Sequence, residues 1–285
     1  MATIEYMPAR LTAEETADLR RAVACLEGTS FAQRLTEAVG RPVTMLRGAM
    51  PQSARRVIAH ASEGALRGAL KLALRTLDLK ASATPANRAH KLAAAASGAV
   101  GGALGFAAVL VELPISATIL LRSIAEIARE EGEDLSASDA AFACVEVFAL
   151  GGQADGEEES AIESGYFAVR AALAKSVSDS ARFVAVEGLG AQSAPVIARL
   201  ISQVAARFGV VVSEKLAAQA APILGAIGGA AVNAAFADHF QTLARGHFIV
   251  RRLERQHGKS LVAFEYQRLR GERARERAEG QRVAS

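Results

Sequence analysis

The chain has 285 residues, of which 51% are hydrophobic and 22% are charged. This balance is typical of a folded globular protein and excludes a wholly disordered chain. The net charge is +3, and residues 267–285 hold six Arg against three Glu, so the rest of the chain is neutral. A neutral body lacks the clustered cations of a nucleic-acid-binding fold, and we therefore expect no nucleic-acid partner.

Alanine and glycine are abundant, aromatic residues make up only 5% of the chain, and tryptophan is absent. Alanine favours helix because it loses no side-chain entropy, and small residues let helices approach closely. No stretch of the sequence alternates as a strand would. We therefore predict an all-α fold, a single large multi-helix domain of about ten helices built around two glycine-rich apolar helices.

Helix starts are marked by capping patterns. Residues 12–15, Thr-Ala-Glu-Glu, form a capping box in which each side chain bonds the backbone amide of the other residue. Residues 30–33 and 136–139 repeat this spacing, and Pro85 after Thr84 is typical of a first helical turn. We expect helices to begin at each of these positions.

Glycine and proline predict where helices end. The predicted breaks fall at residues 41–42, 50–51, 80–84, 113–114, 131–132, 151–156, 188–195 and at Gly246. Pro114 is expected to stop its helix. We divide the chain into an N-terminal helical region at 1–53, a main helical domain at 54–266, and a charged Arg-rich tail at 267–285 that we expect to be mobile.

Two apolar stretches without formal charge, 92–111 and 216–237, carry most of the functional signal. At 100° per residue, each forms a stripe that runs from glycines to a polar group. Such small-residue stripes let two helices cross closely, which would bring Glu112 near His239. The candidate ligand- or lipid-binding residues are Gly98, Gly102, Gly105, Glu112, Arg122, Gly225, Gly229, Asn233, Phe236 and His239.

Three interpretations of these stretches stay open. They are buried helices of a soluble core, a transmembrane hairpin, or apolar helices of a soluble form that contact a membrane or hold an acyl chain. Against the hairpin, alanine and glycine gain little on transfer to lipid, and Glu112 would be costly within a span. A carboxylate in apolar surroundings calls for a cation, and Arg122, Arg245 or His239 could supply it.

The sequence contains no motif for a metal site, a nucleotide-binding loop or a known catalytic site. His239 and His247 lie too far apart for a compact metal pair, and Cys25 and Cys144 lack metal-ligand spacing, so we expect no metal. Residues 98–105 are no nucleotide loop because they follow a helical run and lack the terminal Lys-Ser or Lys-Thr. No catalytic motif is recognisable, and no cofactor is expected. Two free cysteines and a polar N-terminus favour the cytoplasm.

The chain resembles the EcsC family of bacterial proteins. The resemblance rests on residues 98–105, on 111–114 continuing into 121–128, on 144–152, and on 225–233 with 238–240, and it spans most of 54–266. The family is named after a protein encoded beside two components of an ABC transporter associated with protein secretion. It has no established reaction to carry over, and it implies a cytoplasmic, membrane-proximal helical protein.

These observations together predict a lipid- or membrane-binding helical accessory protein, peripheral to the inner face of the cytoplasmic membrane. In this hypothesis Glu112, with His239 or Arg122, orients a polar head. An ABC transporter is a possible partner implied by the resemblance, and the sequence does not fix an oligomeric state. The alternatives are an enzyme that acts on a lipid or peptide through Glu112 and His239, and a non-catalytic protein-protein interaction module.

Overall fold

Ten helices make up the part of the chain that the computed structural model describes, which is residues 10–39, 43–76, 106–152, 165–187, 195–219 and 225–284. In chain order they are α1 (Ala13–Leu26), α2 (Phe31–Val39), α3 (Val43–Gly48), α4 (Gln52–Thr76), α5 (Phe106–Glu130), α6 (Ser138–Leu150), α7 (Tyr166–Glu187), α8 (Pro195–Gln219), α9 (Gly225–His257) and α10 (Lys259–Ala284). These ranges contain no strand, and the all-α prediction is confirmed.

The first two helices begin where the capping patterns predict. The Glu15 amide donates to Thr12 Oγ1 at 3.2 Å, and the Thr12 amide donates to Glu15 Oε2 at 2.8 Å. Ser30 and Gln33 exchange the same pair of bonds at 3.2 and 3.0 Å. Each pair satisfies two amides that the first helical turn would leave unpaired.

Two predicted boundaries are wrong, the first because a local turn competes for the capping residue and the second because core packing overrides the local pattern. Ser136 donates its amide and hydroxyl to the Asp134 carboxylate at 3.0 and 2.6 Å, and α6 begins at Ser138 without a side-chain cap. Pro114 does not stop α5, which runs through it. Leu113 and Ala117, on either side of the proline, are buried in the main core, and this packing outweighs the lost backbone bond.

Gly246 is a packing residue and does not break α9, contrary to the prediction. A Cβ at this position would lie 2.7 Å from Leu26 Cγ and 3.1 Å from the Ala22 carbonyl oxygen, so glycine lets α1 lie directly on α9. The true break comes at Gly258, between α9 and α10, where φ is +85°. Only glycine adopts that conformation without strain, and it redirects the chain into α10.

The core is organised around α6, in which every residue from 140 to 149 is buried. Helices α4, α5, α7, α8 and α9 all pack against α6. The main core also includes Phe31, Leu35 and Val43 from the N-terminal helices, so the region 1–53 has no separate core in its described part. A second cluster joins α1, α9 and α10 through Leu19, Leu253 and other residues.

One of the described helices, α8, is long and apolar enough to cross a membrane by length and composition. Of its most apolar window, 61% is buried inside the protein, as expected for a core helix of this fold. The predicted apolar stretch at 92–111 lies outside the described residues up to 105. The second, 216–237, supplies the end of α8 and the start of α9, with 220–224 outside the described residues.

Candidate functional site

Glu112 is held by two side chains at the place where α5, α8 and α9 meet. Its Oε1 accepts from Lys215 Nζ at 2.7 Å and from Asn233 Nδ2 at 3.2 Å. The side chains of Lys215 and Glu112 are only 5% and 10% exposed. Lys215 Nζ also lies 4.8 Å from the centroid of the Phe236 ring. Burial lowers the pKa of Lys215, and the charge of Glu112 opposes that shift.

This ion pair corrects the predicted partner of Glu112. The cation is Lys215, whereas Arg122 lies ten residues further along α5 with its side chain exposed, and Arg245 is on a later part of α9. His239 is six residues beyond Asn233 on α9, about 9 Å along the helix axis. The polar contacts thus link α5, α8 and α9 through one carboxylate.

His239 lies instead against aromatic rings, with an imidazole that is neutral at pH 7. Its ring centroid is 5.1 Å from that of Phe31 and 5.3 Å from that of Phe240. Burial, reinforced by the charge of Arg34, lowers the pKa of His239 to about 4. Within the described ranges, buried Nε2 has no hydrogen-bond partner of good geometry, although the backbone of Gly151 lies beside it.

A cleft of about 620 Å³ opens beside His239, between the turn that joins α1 to α2 and helices α6, α8 and α9. Its basic wall consists of four arginines that come from four different helices. They are Arg34, Arg47, Arg207 and Arg270. The acidic side chains in the described lining are Glu27 and Glu214. With His239 neutral, the described lining of this arginine cleft carries a positive charge.

Glycines allow the arginine cleft to be this narrow. A Cβ on Gly151 would lie 2.7 Å from His239 Nε2, and a Cβ on Gly152 would collide with the Arg207 carbonyl oxygen. A Cβ on Gly165 would lie 2.8 Å from Arg270 Nη1. At Gly152 the obstacle is backbone, so that position permits only glycine, whereas at Gly165 the obstacle is the end of the flexible Arg270 side chain.

Neighbouring groups orient the arginines. Arg34 Nη1 lies 3.5 Å from Asp238 Oδ2, and Arg207 Nη1 donates to the Gly152 carbonyl oxygen at 3.4 Å. Arg270 Nε lies 3.5 Å from Glu27 Oε2. A guanidinium presents five N–H donors in a planar fork, a geometry that matches phosphate and carboxylate groups. The arrangement can therefore bind an anion.

A second polar cluster is fully buried between α6, α7 and α9. The Tyr166 hydroxyl lies 3.0 Å from His247 Nδ1, and His247 Nε2 lies 3.9 Å from Glu146 Oε2. Burial raises the pKa of Glu146 to about 7 and lowers that of His247 well below its usual value. Beside them Arg170 pairs with Glu254 through two bonds of 2.8 and 2.9 Å. These buried contacts tie α6, α7 and α9 together.

The other predicted site residues are distributed as follows. Phe236 is in the core, in contact with the rings of Phe31, Phe208 and Phe240. Gly229 is buried on α9, and Gly225 is the first residue of that helix. Gly98, Gly102 and Gly105 lie outside the described residues. Among the predicted residues that the structure describes, His239 alone lines the arginine cleft.

Sequence reasoning missed the cleft arginines because they are far apart in the chain and follow no motif. The glycines at 151, 152 and 165 are the available signal, since paired glycines at a helix end point to a close approach by another group. No group of three or more His, Cys, Asp or Glu in the described ranges is arranged to hold a metal ion.

Comparison with known proteins assigns the chain to a family. A family model described as the EcsC protein family matches residues 16–253, most of the chain, and the chain belongs to that family. The match begins within α1, well before residue 54, in agreement with the shared core of the N-terminal helices. No curated protein and no solved structure matches the chain.

Proposed function

We propose that this EcsC family member is a lipid- or membrane-binding accessory protein that holds the anionic head of an amphiphile in the arginine cleft. The observation that carries the proposal is the convergence of Arg34, Arg47, Arg207 and Arg270 on one cleft of about 620 Å³. Arginine forks bind phosphate and carboxylate by paired, charge-assisted hydrogen bonds.

His239 supports a polar ligand at the inner end of the cleft. Its side chain is buried, and leaving a buried polar group without a partner costs roughly 1–3 kcal/mol. Because Nε2 is covered by the Gly151 backbone, a head-group oxygen would supply that partner only if this backbone moves aside. Because the imidazole is neutral at pH 7, it serves as a hydrogen-bonding group and adds no charge.

The apolar side chains of the cleft would receive the start of a hydrocarbon chain. Leu26, Phe31, Leu150, Val210 and Leu243 line the same space as the arginines. Most of the exposed lining is polar, and Phe31 and Leu243 are only 1% and 5% exposed, so the cleft contacts no more than the first carbons of a chain. At about 25 cal/mol per Å² this small apolar area adds roughly 2 kcal/mol of binding free energy, which is the difference expected between an amphiphile and a free inorganic anion.

Cys25 offers a direct test, because it is half-buried and lines the cleft, whereas Cys144 is buried. Burial raises the pKa of both thiols, that of Cys144 to about 12, and Cys144 is only 1% exposed, so iodoacetamide should alkylate Cys25 alone in the folded protein. We expect dodecyl phosphate to slow that alkylation, inorganic phosphate to slow it weakly, and dodecyltrimethylammonium to leave it unchanged. Equal protection by both dodecyl compounds would refute recognition of the anion.

Variants separate the cleft from the residues predicted from sequence. Arg34→Gln and Arg47→Gln should each weaken dodecyl phosphate binding by roughly tenfold, the usual value of a charged hydrogen bond. Arg122→Gln is the matched control, because Arg122 is exposed on α5 and away from the cleft. If Arg122→Gln weakens binding as much as the cleft variants do, the head group binds elsewhere.

The alternative is an enzyme that uses Glu112 and His239 together. Among the described residues Glu112 Oε1 bonds Lys215 and Asn233, and no contact joins it to His239. An association with an ABC transporter, a location at the inner face of the cytoplasmic membrane, and a purely protein-binding role remain proposals. Carbonate washing of a membrane fraction tests the location. A peripheral protein should be released by the wash, and one that stays in the pellet would contradict this placement.

A further inference from the structure

Glu146, Tyr166 and His247 form a buried cluster directly behind the arginine cleft. Each of the three lies within four residues of a cleft-lining residue in the same segment of chain. Those cleft-lining residues are Leu150, Gly165 and Leu243. Four residues rise by about 6 Å along a helix axis, so the cluster stands next to the cleft on α6, α7 and α9.

Two buried arginines meet three buried carboxylates in this region. Arg170 pairs with Glu254 through bonds of 2.8 and 2.9 Å, and Arg251 donates to Glu133 at 2.7 Å. The side chains of these four residues and of Glu146 are at most 18% exposed. Because each arginine already has its own carboxylate, Glu146 is the acid whose charge is left over.

The surroundings of Glu146 favour its neutral form at acidic and neutral pH. Burial raises the pKa of Glu146 to about 7, and Glu254 adds to this shift. The charges that oppose the shift belong to Arg170 of α7, Arg251 of α9 and Lys259 of α10. Two more exposed charges bind members of the cluster, and these are Arg255 on Glu133 and Asp139 on Arg251. Glu146 therefore gains or loses its proton near neutral pH.

His247 offers this proton two hydrogen-bonding arrangements. Its imidazole is neutral, because burial lowers its pKa well below the usual value. Nδ1 lies 3.0 Å from the Tyr166 hydroxyl, and Nε2, which has no hydrogen-bond partner among the described residues, lies 3.9 Å from Glu146 Oε2. Neutral Glu146 donates to a bare Nε2 once this gap closes by about 1 Å, whereas ionised Glu146 accepts from Nε2–H. The two states thus have different tautomers of His247.

Charge and contact both connect the cluster with the cleft. Ionised Glu146 places a negative charge behind a space that would receive an anion. A unit charge at roughly 10 Å and an effective dielectric constant of about 20 changes an affinity by about tenfold. The Tyr166 ring also lies 5.6 Å from the ring of Tyr266, whose hydroxyl donates to the cleft residue Glu27 at 3.0 Å.

From this geometry we infer that the proton on Glu146 regulates the arginine cleft. With Glu146 neutral the cleft holds an anionic head tightly, and loss of the proton changes the His247 tautomer and weakens binding. The inference rests on the proposed function, since it concerns regulation of the same cleft. Glu146 is a positioning and electrostatic residue here, and it does not touch the ligand.

The pH dependence of binding tests the inference. The probe is octyl sulfate, whose own charge is constant between pH 6 and pH 8. We expect wild type to bind it about tenfold more weakly at pH 8 than at pH 6, as measured by calorimetry. Glu146→Gln keeps the shape of the side chain and cannot ionise, so it should bind equally at both values of pH. Glu130→Gln, at an exposed position on α5, is the matched control and should behave as wild type does.

Nitrogen NMR of histidine-labelled protein tests the switch without a ligand. In wild type one neutral imidazole should change which ring nitrogen carries the proton between pH 6 and pH 8, and Glu146→Gln should lack this change. An unchanged tautomer, equal binding by wild type at both values of pH, or a pH dependence that persists in Glu146→Gln would overturn the inference alone. Wild type that binds no octyl sulfate at either pH would refute the proposed head-group site as well.

Discussion

Single residues decide the electrostatics of this protein, because most of its buried charges meet a partner from a distant part of the chain. Glu112 and Lys215 are 103 positions apart, and each is buried only because the other neutralises it. Sequence alone identified Glu112 as a carboxylate that needs a cation. It could not select Lys215, since the partner depends on how α5 and α8 cross.

Breaking the ion pair between Glu112 and Lys215 should lower the free energy of unfolding. Lys215→Met leaves the Glu112 carboxylate buried with Asn233 as its remaining partner, and we expect a loss of roughly 3–5 kcal/mol in the free energy of unfolding. The double variant Glu112→Leu with Lys215→Met should recover much of that loss, because no uncompensated charge remains. Urea unfolding measures both. If the double variant is as unstable as the two single losses added together, the pair does not act as a neutralising unit.

Glu146 gives a pH-dependent prediction. Its pKa is raised from the ordinary 4.5 to about 7 in the folded protein, so the folded state binds this proton more tightly than the unfolded chain does. Its contribution to stability is therefore complete below pH 4.5 and is lost as pH rises through about 7. The variant Glu146→Gln cannot ionise at this position, so its free energy of unfolding should rise relative to that of wild type by about 3 kcal/mol over this pH range.

The measurement compares unfolding free energies of the two proteins at each pH, because the difference cancels the opposite effect of His239. The pKa of His239 is lowered to about 4, so its contribution to the stability of the protein is lost as pH falls below the ordinary pKa of 6.5. A difference between Glu146→Gln and wild type that stays constant from acid to neutral pH would contradict the assigned protonation of Glu146.

At the scale of elements, glycine has two roles that sequence does not separate. Gly246 and Gly258 are both single glycines in a helical pattern, yet the first lies inside α9 and the second ends it. The difference between the two glycines comes from the neighbouring helix, because Leu26 and the Ala22 carbonyl of α1 leave no room for a Cβ at Gly246. Likewise Pro114 continues in α5 because the core holds both sides of it. Capping patterns at Thr12 and Ser30 were predictable because their partners are local.

Alanine substitution distinguishes the two kinds of glycine. Gly246→Ala should destabilise the protein by about 1–3 kcal/mol, because its Cβ would overlap α1. Gly68→Ala, in the middle of α4 with open space around it, should stabilise by about 0.5–1 kcal/mol through helix propensity. Thermal unfolding of both variants checks the signs. A neutral or stabilising Gly246→Ala would show that α1 does not lie so close to α9.

At the scale of the whole molecule, the sequence predicted an all-α fold and the apolar character of its helices, since both follow from composition and local periodicity. The arginine cleft was not predictable in this way. Arg34, Arg47, Arg207 and Arg270 are brought together by α2, α3, α8 and α10, and no local pattern relates them. His239 was identified as a candidate, but with Glu112 as its neighbour, and the fold places it beside Gly151 and Phe31 instead.

Native mass spectrometry of protein purified without detergent is the most direct test that this cleft holds an anionic amphiphile. Wild type and Arg122→Gln should carry an added mass that extracts into organic solvent as an acidic lipid, and the Arg34→Gln, Arg47→Gln double variant should lack it. Wild type that is free of lipid and takes up no dodecyl phosphate, or a double variant loaded as fully as wild type, would contradict the account.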